Sequence, residues 1–264
     1  MFRSAAAAVV LVGFGVVKAQ SISSQCQSAL LTIAGSPDAQ CLNPTGLIPL
    51  LTTSSNTSLV TPFTSWLQGA CAQDACTNAS LSAIVTNVTN GCGNDLASLG
   101  FSNDSVPDVI AGIQEAYPTV RSIACLKDTT NNTLCATTLL DELQQVTGSL
   151  SLSNITSLSQ IVMGSSLGLP SYITCSDCVK EAYNILKQQV PDVASSTEVS
   201  NAFQSQCGAS FVDGTSPSQI AEGTGTAAPS SDTSASGALS FSHAMVGTTV
   251  ASLSVVFGAL VVLV

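Results

Sequence analysis

All ten cysteines of this chain fall between positions 26 and 207: Cys26, Cys41, Cys71, Cys76, Cys92, Cys125, Cys135, Cys175, Cys178 and Cys207. Oxidised, they constrain the fold more than any other feature, because each bridge ties two distant points of the backbone within a few ångströms. Whether they oxidise depends on compartment, and the N-terminus speaks to that. Arg3 precedes the apolar run "AAAAVVLVGFGVV", and Val17 and Ala19 take the small-residue positions before a cut. This order predicts a secretory signal peptide over 1–19, cleaved after Ala19. An even number of cysteines in an exported chain predicts full pairing. Ten cysteines allow roughly a thousand connectivities, and spacing selects none of them.

From Gln20 to about Gly214 the apolar residues recur with helical period. Cys26, Ala29, Leu30 and Ile33 share one face, as do Phe63, Trp66, Leu67, Ala70 and Cys71, with Pro62 in the first turn. Further stripes are Leu81, Ile84, Val85, Val88 and Cys92, then Val109, Ile110, Ile113, Ala116 and Tyr117 behind the cap-like Ser105–Asp108. Leu139, Leu140, Leu143 and Val146 make another; Cys178, Ala182, Ile185 and Leu186, then Val199, Ala202, Phe203 and Cys207, complete the set. Two-residue alternation is hard to find. The predicted fold is all-α, a disulfide-stapled bundle of short helices in one domain over 20–214. Close cysteine pairs (Cys71/Cys76, Cys125/Cys135, Cys175/Cys178) recur about every fifty residues, which predicts loosely repeated helical hairpins with sulfur at their turns or helix ends.

Asn56, Asn78, Asn87, Asn103, Asn131 and Asn154 each head an N-x-S/T triplet, whereas Asn43 is disqualified by Pro44. Six such triplets among the cysteines predict a glycosylated surface. Residues 215–236 are rich in Ser, Thr and Gly and poor in large apolar side chains, which predicts a flexible stalk. Small residues around Ser236 and Gly237, a spacer and an apolar run to Val264 match a glycosylphosphatidylinositol (GPI) signal over 237–264, with Ser236 or Gly237 carrying the anchor. A tail-end transmembrane helix is the weaker reading, since no Lys or Arg follows the run. Removing both ends leaves four basic residues, Arg121, Lys127, Lys180 and Lys187, against sixteen acidic ones, a net charge of −12. That balance argues against nucleic acid as a partner; the expected attachments are membrane, through GPI lipid, or cell-wall glucan.

Five segments carry a resemblance: "SSQCQSALL", "CTNASLSAIVTNVTNGC", "YPTVRSIACLKD", "CVKEAYNIL" and "QCGASFVDG". Over about Ser21 to Gly214 they resemble a fungal family, mainly of basidiomycetes, of small secreted, Cys-rich, GPI-anchored proteins carrying a domain of unknown function. The resemblance implies a secreted domain and supplies no activity, catalytic residue or ligand.

The chemistry is narrowed by one residue. His243 is the only histidine, and it lies in the segment expected to be discarded. Without it, Ser-His-Asp and Cys-His nucleophiles, histidine metal sites and histidine-ligated haem are excluded. Cys175-Ser-Asp-Cys178 is a C-x-x-C at a helix start, but it lacks the βαβ setting of redox motifs and reads as structural. Adjacent Asp141 and Glu142 would point ~100° apart on a helix. Nothing selects a more distant pair such as Glu115 and Glu181 for glycoside hydrolysis. No calcium loop is present, and Lys180, Glu181 and Lys187 read as solvated charge. No cofactor or metal is expected. Two classes remain: a non-catalytic cell-surface or cell-wall glycoprotein, or a helical cage for a small apolar ligand such as a sterol or lipid. In the second, the lining would come from Phe63, Trp66, Ile84, Ile113 and Leu186.

Overall fold

The computed structural model describes residues 23–52, 54, 56–98, 101, 105–151, 169–190 and 197–223. The signal peptide, Asn103, Asn154, Ser236, Gly237, the tail over 237–264 and most of the stalk lie outside the described residues. In chain order the helices are α1 (Ser24–Ala34), α2 (Ile48–Thr52), α3 (Val60–Ala72), α4 (Asn78–Gly91), α5 (Gly93–Ser98), α6 (Val106–Ala124), α7 (Cys135–Thr147), α8 (Ser171–Thr174), α9 (Asp177–Gln189) and α10 (Thr197–Cys207). Strands β1 (Leu126–Asp128) and β2 (Thr133–Leu134) lie between α6 and α7, and β3 (Ile220–Glu222) follows α10.

The fold is therefore mostly helical, as expected, but not all-α. The strands form one antiparallel sheet in the order β2-β1-β3. Strands of two and three residues are too short to show alternation, which hid them in the sequence.

The described residues fall into two compact units: those within 23–40 and 76–116 form the first; those within 41–75 and 117–223 form the second. In the first unit α1 starts at Ser23, whose hydroxyl accepts the Cys26 amide at 3.2 Å, and α4 starts at Thr77, whose hydroxyl accepts the Ser80 amide at 3.0 Å. Such caps satisfy amides that have no partner inside the helix. The predicted stripes turn inward, burying Cys26, Ile33, Leu81, Ile84 and Val85. Helices α1 and α4 meet so closely at Ala29 that Gly91 opposite it has no room for a Cβ. The Cys26–Cys92 disulfide locks the pair. Beside it the Ser23 amide and hydroxyl donate to the Asp95 carboxylate at 2.9 and 2.6 Å, which holds the pKa of that group below its usual value.

In the second unit α3 buries Val60, Trp66, Leu67, Ala70 and Cys71. Its C-terminal end is met by Arg121, which donates to the carbonyls of Ala70, at 3.2 Å, and Gln73. A guanidinium suits the unpaired carbonyls and negative dipole end of a helix. The Cys71–Cys125 disulfide fixes the same end to the residue preceding β1. One sheet face is core: Leu126 and Ile220 pack with Cys135, Cys178 and Ile185. A second cluster gathers Tyr183, Phe203 and Phe211, the two Phe rings stacked 5.0 Å apart.

The described part of the second unit passes the expected boundary at Gly214. Lys187 Nζ donates to the Val212 carbonyl (3.2 Å), Lys180 pairs with Asp213 (3.1 Å), and Asn184 Nδ2 donates to the Thr215 carbonyl (3.2 Å). Ser216 donates to Glu181 (3.1 Å) and Gln219 to Asp177. Lys180, Glu181 and Lys187 thus hold a strap that leads into β3, rather than standing as merely solvated charge. Composition missed this because residues 215–219 bind through polar groups, and Ile220 alone supplies the buried anchor.

Candidate functional site

The ten cysteines are all disulfide-bonded, Cys41 and Cys76 among them. Their connectivity corrects the repeat reading. Cys71 bonds Cys125, Cys135 bonds Cys178, and Cys175 bonds Cys207, spanning 54, 43 and 32 residues. The close pairs therefore tie distant segments instead of closing their own hairpins. Cys175 and Cys178 belong to separate bridges, and Ser176 caps α9 between them. Cys175 precedes the helix, and Cys178 lies on its buried face. A C-x-x-C split in this way is not a dithiol–disulfide couple.

Other expected residues disperse. Asp141 is exposed, whereas Glu142 is half-buried with Oε2 sealed from solvent and unpartnered; burial pushes its pKa up. Glu115 lies in the first unit and Glu181 in the second, where Glu181 is engaged by Ser216 and Asn184. Among the described residues no group of three or more His, Cys, Asp or Glu is placed to hold a metal. The expected apolar lining also divides: Ile84 and Ile113 belong to the first unit, Phe63, Trp66 and Leu186 to the second. Trp66 is buried against Phe63, rings 5.3 Å apart, with its indole N–H on the Leu42 carbonyl at 2.9 Å. The asparagines of the four described triplets, Asn56, Asn78, Asn87 and Asn131, are exposed.

The second unit also holds a cleft of about 330 Å³, lined by Gln68, Cys71, Ala72, Lys127, Asn132, Leu134 and Gly223. Register explains its makeup. Lys127 pairs with Leu134 on β2 and Ala221 on β3, so it stands on the sheet face opposite buried Leu126 and Ile220. Helix α3 supplies Gln68, Cys71 and Ala72 as the facing wall. Asn132 sits at the β1–β2 turn with φ 61°, a left-handed conformation that asparagine tolerates. Buried Leu134 gives the cleft an apolar floor, while Lys127, Gln68 and Asn132 give it polar groups.

With this geometry in view, comparison with known proteins places the chain. A family model, "Domain of unknown function (DUF7729)", matches residues 17–216. The chain belongs to the DUF7729 family. No curated protein and no solved structure matches it. Strand β3, at 220–222, lies beyond the span matched to the DUF7729 domain, although it completes the sheet. Sequence reasoning missed Gln68, Lys127 and Asn132 because their conjunction requires α3, the hairpin and β3 to meet. The one local signal was Lys127, a rare cation in an acidic chain.

Proposed function

We propose that the DUF7729 domain of this chain is a non-catalytic extracellular display domain, held through a GPI anchor at a fungal cell surface or wall. The observation that carries the reading is the full oxidation of ten cysteines, a state that persists in oxidising compartments and not in a reducing cytosol. Bridges spanning 32 to 66 residues restrict the unfolded chain strongly. That suits a protein that must last outside the cell without chaperones. The signal-peptide pattern over 1–19, the exposed asparagines of the four described glycosylation triplets and the terminal apolar run support export and anchoring. The only histidine lies beyond the family span, at His243, which supports a role by presence or binding.

Treatment of intact producing cells with phosphatidylinositol-specific phospholipase C, or with glucanase where the anchor has passed to wall glucan, should release the protein. Its mature C-terminus should then end at Ser236 or Gly237. Release by detergent alone, with Val264 retained, refutes the anchor. Sterol or fatty acid extracted from the purified protein would favour the apolar-cage reading instead.

A further inference from the structure

We infer that the cleft between α3 and the outer face of the sheet is a binding site for a small, singly charged, hydroxylated carboxylate, of the sugar-acid class. The inference rests on which groups in this chain are already satisfied. Among the described residues, Arg121 donates to the Ala70 and Gln73 carbonyls, Lys180 pairs with Asp213, and Lys187 donates to the Val212 carbonyl. Lys127 differs from these three. It is half-buried and lines the cleft, and among the described residues its side chain has no hydrogen bond or ion pair. An ammonium on the wall of a cleft with no counter-charge beside it is free to pair with an anion that enters. Gln68 and Asn132, both exposed, line the same space, and among the described residues their side-chain amides make no hydrogen bond. Each offers donors and an acceptor to hydroxyl groups.

Charge count selects the ligand class. One ammonium and two neutral amides match one negative charge plus hydroxyls. A phosphate dianion would call for an arginine fork or several converging backbone amides. The formal net charge of −10 also disfavours multiply charged anions, whose approach it opposes. The volume, about 330 Å³, suits a ligand the size of one monosaccharide unit. Leu134 gives the floor an apolar surface on which a ring face can lie.

The test is calorimetric titration of the full secreted protein, disulfides intact, at low ionic strength, with galacturonate, galactose and inorganic phosphate as separate probes. Saturable binding of galacturonate at about millimolar strength is expected from the ligand's size, with galactose and phosphate each roughly tenfold weaker. Lys127→Met should weaken galacturonate binding roughly tenfold or more. Since the Lys127 side chain has no partner among the described residues, Lys127→Met should keep the circular dichroism spectrum and melting temperature. Gln68→Leu, a change at an exposed position, provides an independent second variant and should weaken binding several-fold. No saturable heat with galacturonate, undiminished binding by Lys127→Met, or equal binding of galactose or phosphate overturns the proposal.

Discussion

Gly69 sits in the middle of α3, where glycine ordinarily destabilises a helix by about 1 kcal/mol relative to alanine. The reason for it is Asn43, a left-handed residue (φ 50°) whose Nδ2 donates to the Trp66 carbonyl at 3.0 Å. A Cβ at Gly69 would collide with that Nδ2 and stand 2.9 Å from Asn43 Cγ; one at Gly46 would stand 2.5 Å from the same Nδ2. Gly69→Ala should therefore expel the Asn43 amide. Overpacking costs about 1–3 kcal/mol and the lost hydrogen bond about 1 kcal/mol. The better helix former returns about 1 kcal/mol. The net expectation is destabilisation by about 2 kcal/mol, or roughly 4–8 °C in melting temperature for a chain of this size. The sign should reverse in an Asn43→Gly background. There the left-handed backbone is preserved by glycine, the three nearest obstructing atoms, all of Asn43, are gone, and Gly69→Ala should stabilise by about 0.5–1 kcal/mol. Urea unfolding of the four proteins of this cycle, followed by circular dichroism with disulfides intact, measures the coupling. A neutral or stabilising effect of Gly69→Ala beside an intact Asn43, or the same destabilisation in both backgrounds, refutes the reasoning.

Four further outcomes are expected. Non-reducing peptide mapping should recover Cys26–Cys92, Cys71–Cys125, Cys135–Cys178 and Cys175–Cys207; a Cys175–Cys178 or Cys125–Cys135 linkage would contradict the fold. Replacing Cys175 and Cys207 together by alanine should cost about 4 kcal/mol in urea unfolding, from the entropy of a loop spanning 32 residues, and a loss under 1 kcal/mol would count against it. The Thr215 hydroxyl and amide, with Lys180, hold the Asp213 pKa at about 2 instead of 3.8; its contribution is present above pH 3.8 and lost as the pH falls towards 2, so Asp213→Asn should remove that part of the acid sensitivity. Burial raises the Glu142 pKa above 4.5, so its contribution is full below 4.5 and lost as the pH rises through the raised value. Glu142→Gln should be more stable than the parent at neutral pH, and an unchanged stability profile would exclude the effect.

What the sequence determined by itself is local. The stripe Trp66, Leu67, Ala70, Cys71 is buried as its period demands, and Thr77 and Ser176 cap helices beside their own amides; these features depend on residues three or four apart. Whether cysteines pair was legible from their even number and the export pattern, because oxidation is a property of compartment. Which cysteines pair was not. Cys71 meets Cys125, and Cys175 meets Cys207, only after stripes far apart in sequence have packed together. The sheet has the same origin. Leu126–Asp128 and Ile220–Glu222 carry no pattern long enough to read, and β3 lies in a segment whose composition resembles a stalk. Buried Ile220 and the α9 strap draw it in. That closure places Lys127 opposite Gln68, and it forms the cleft only because pairing free energy comes from contacts nearly a hundred residues apart, which no local window contains.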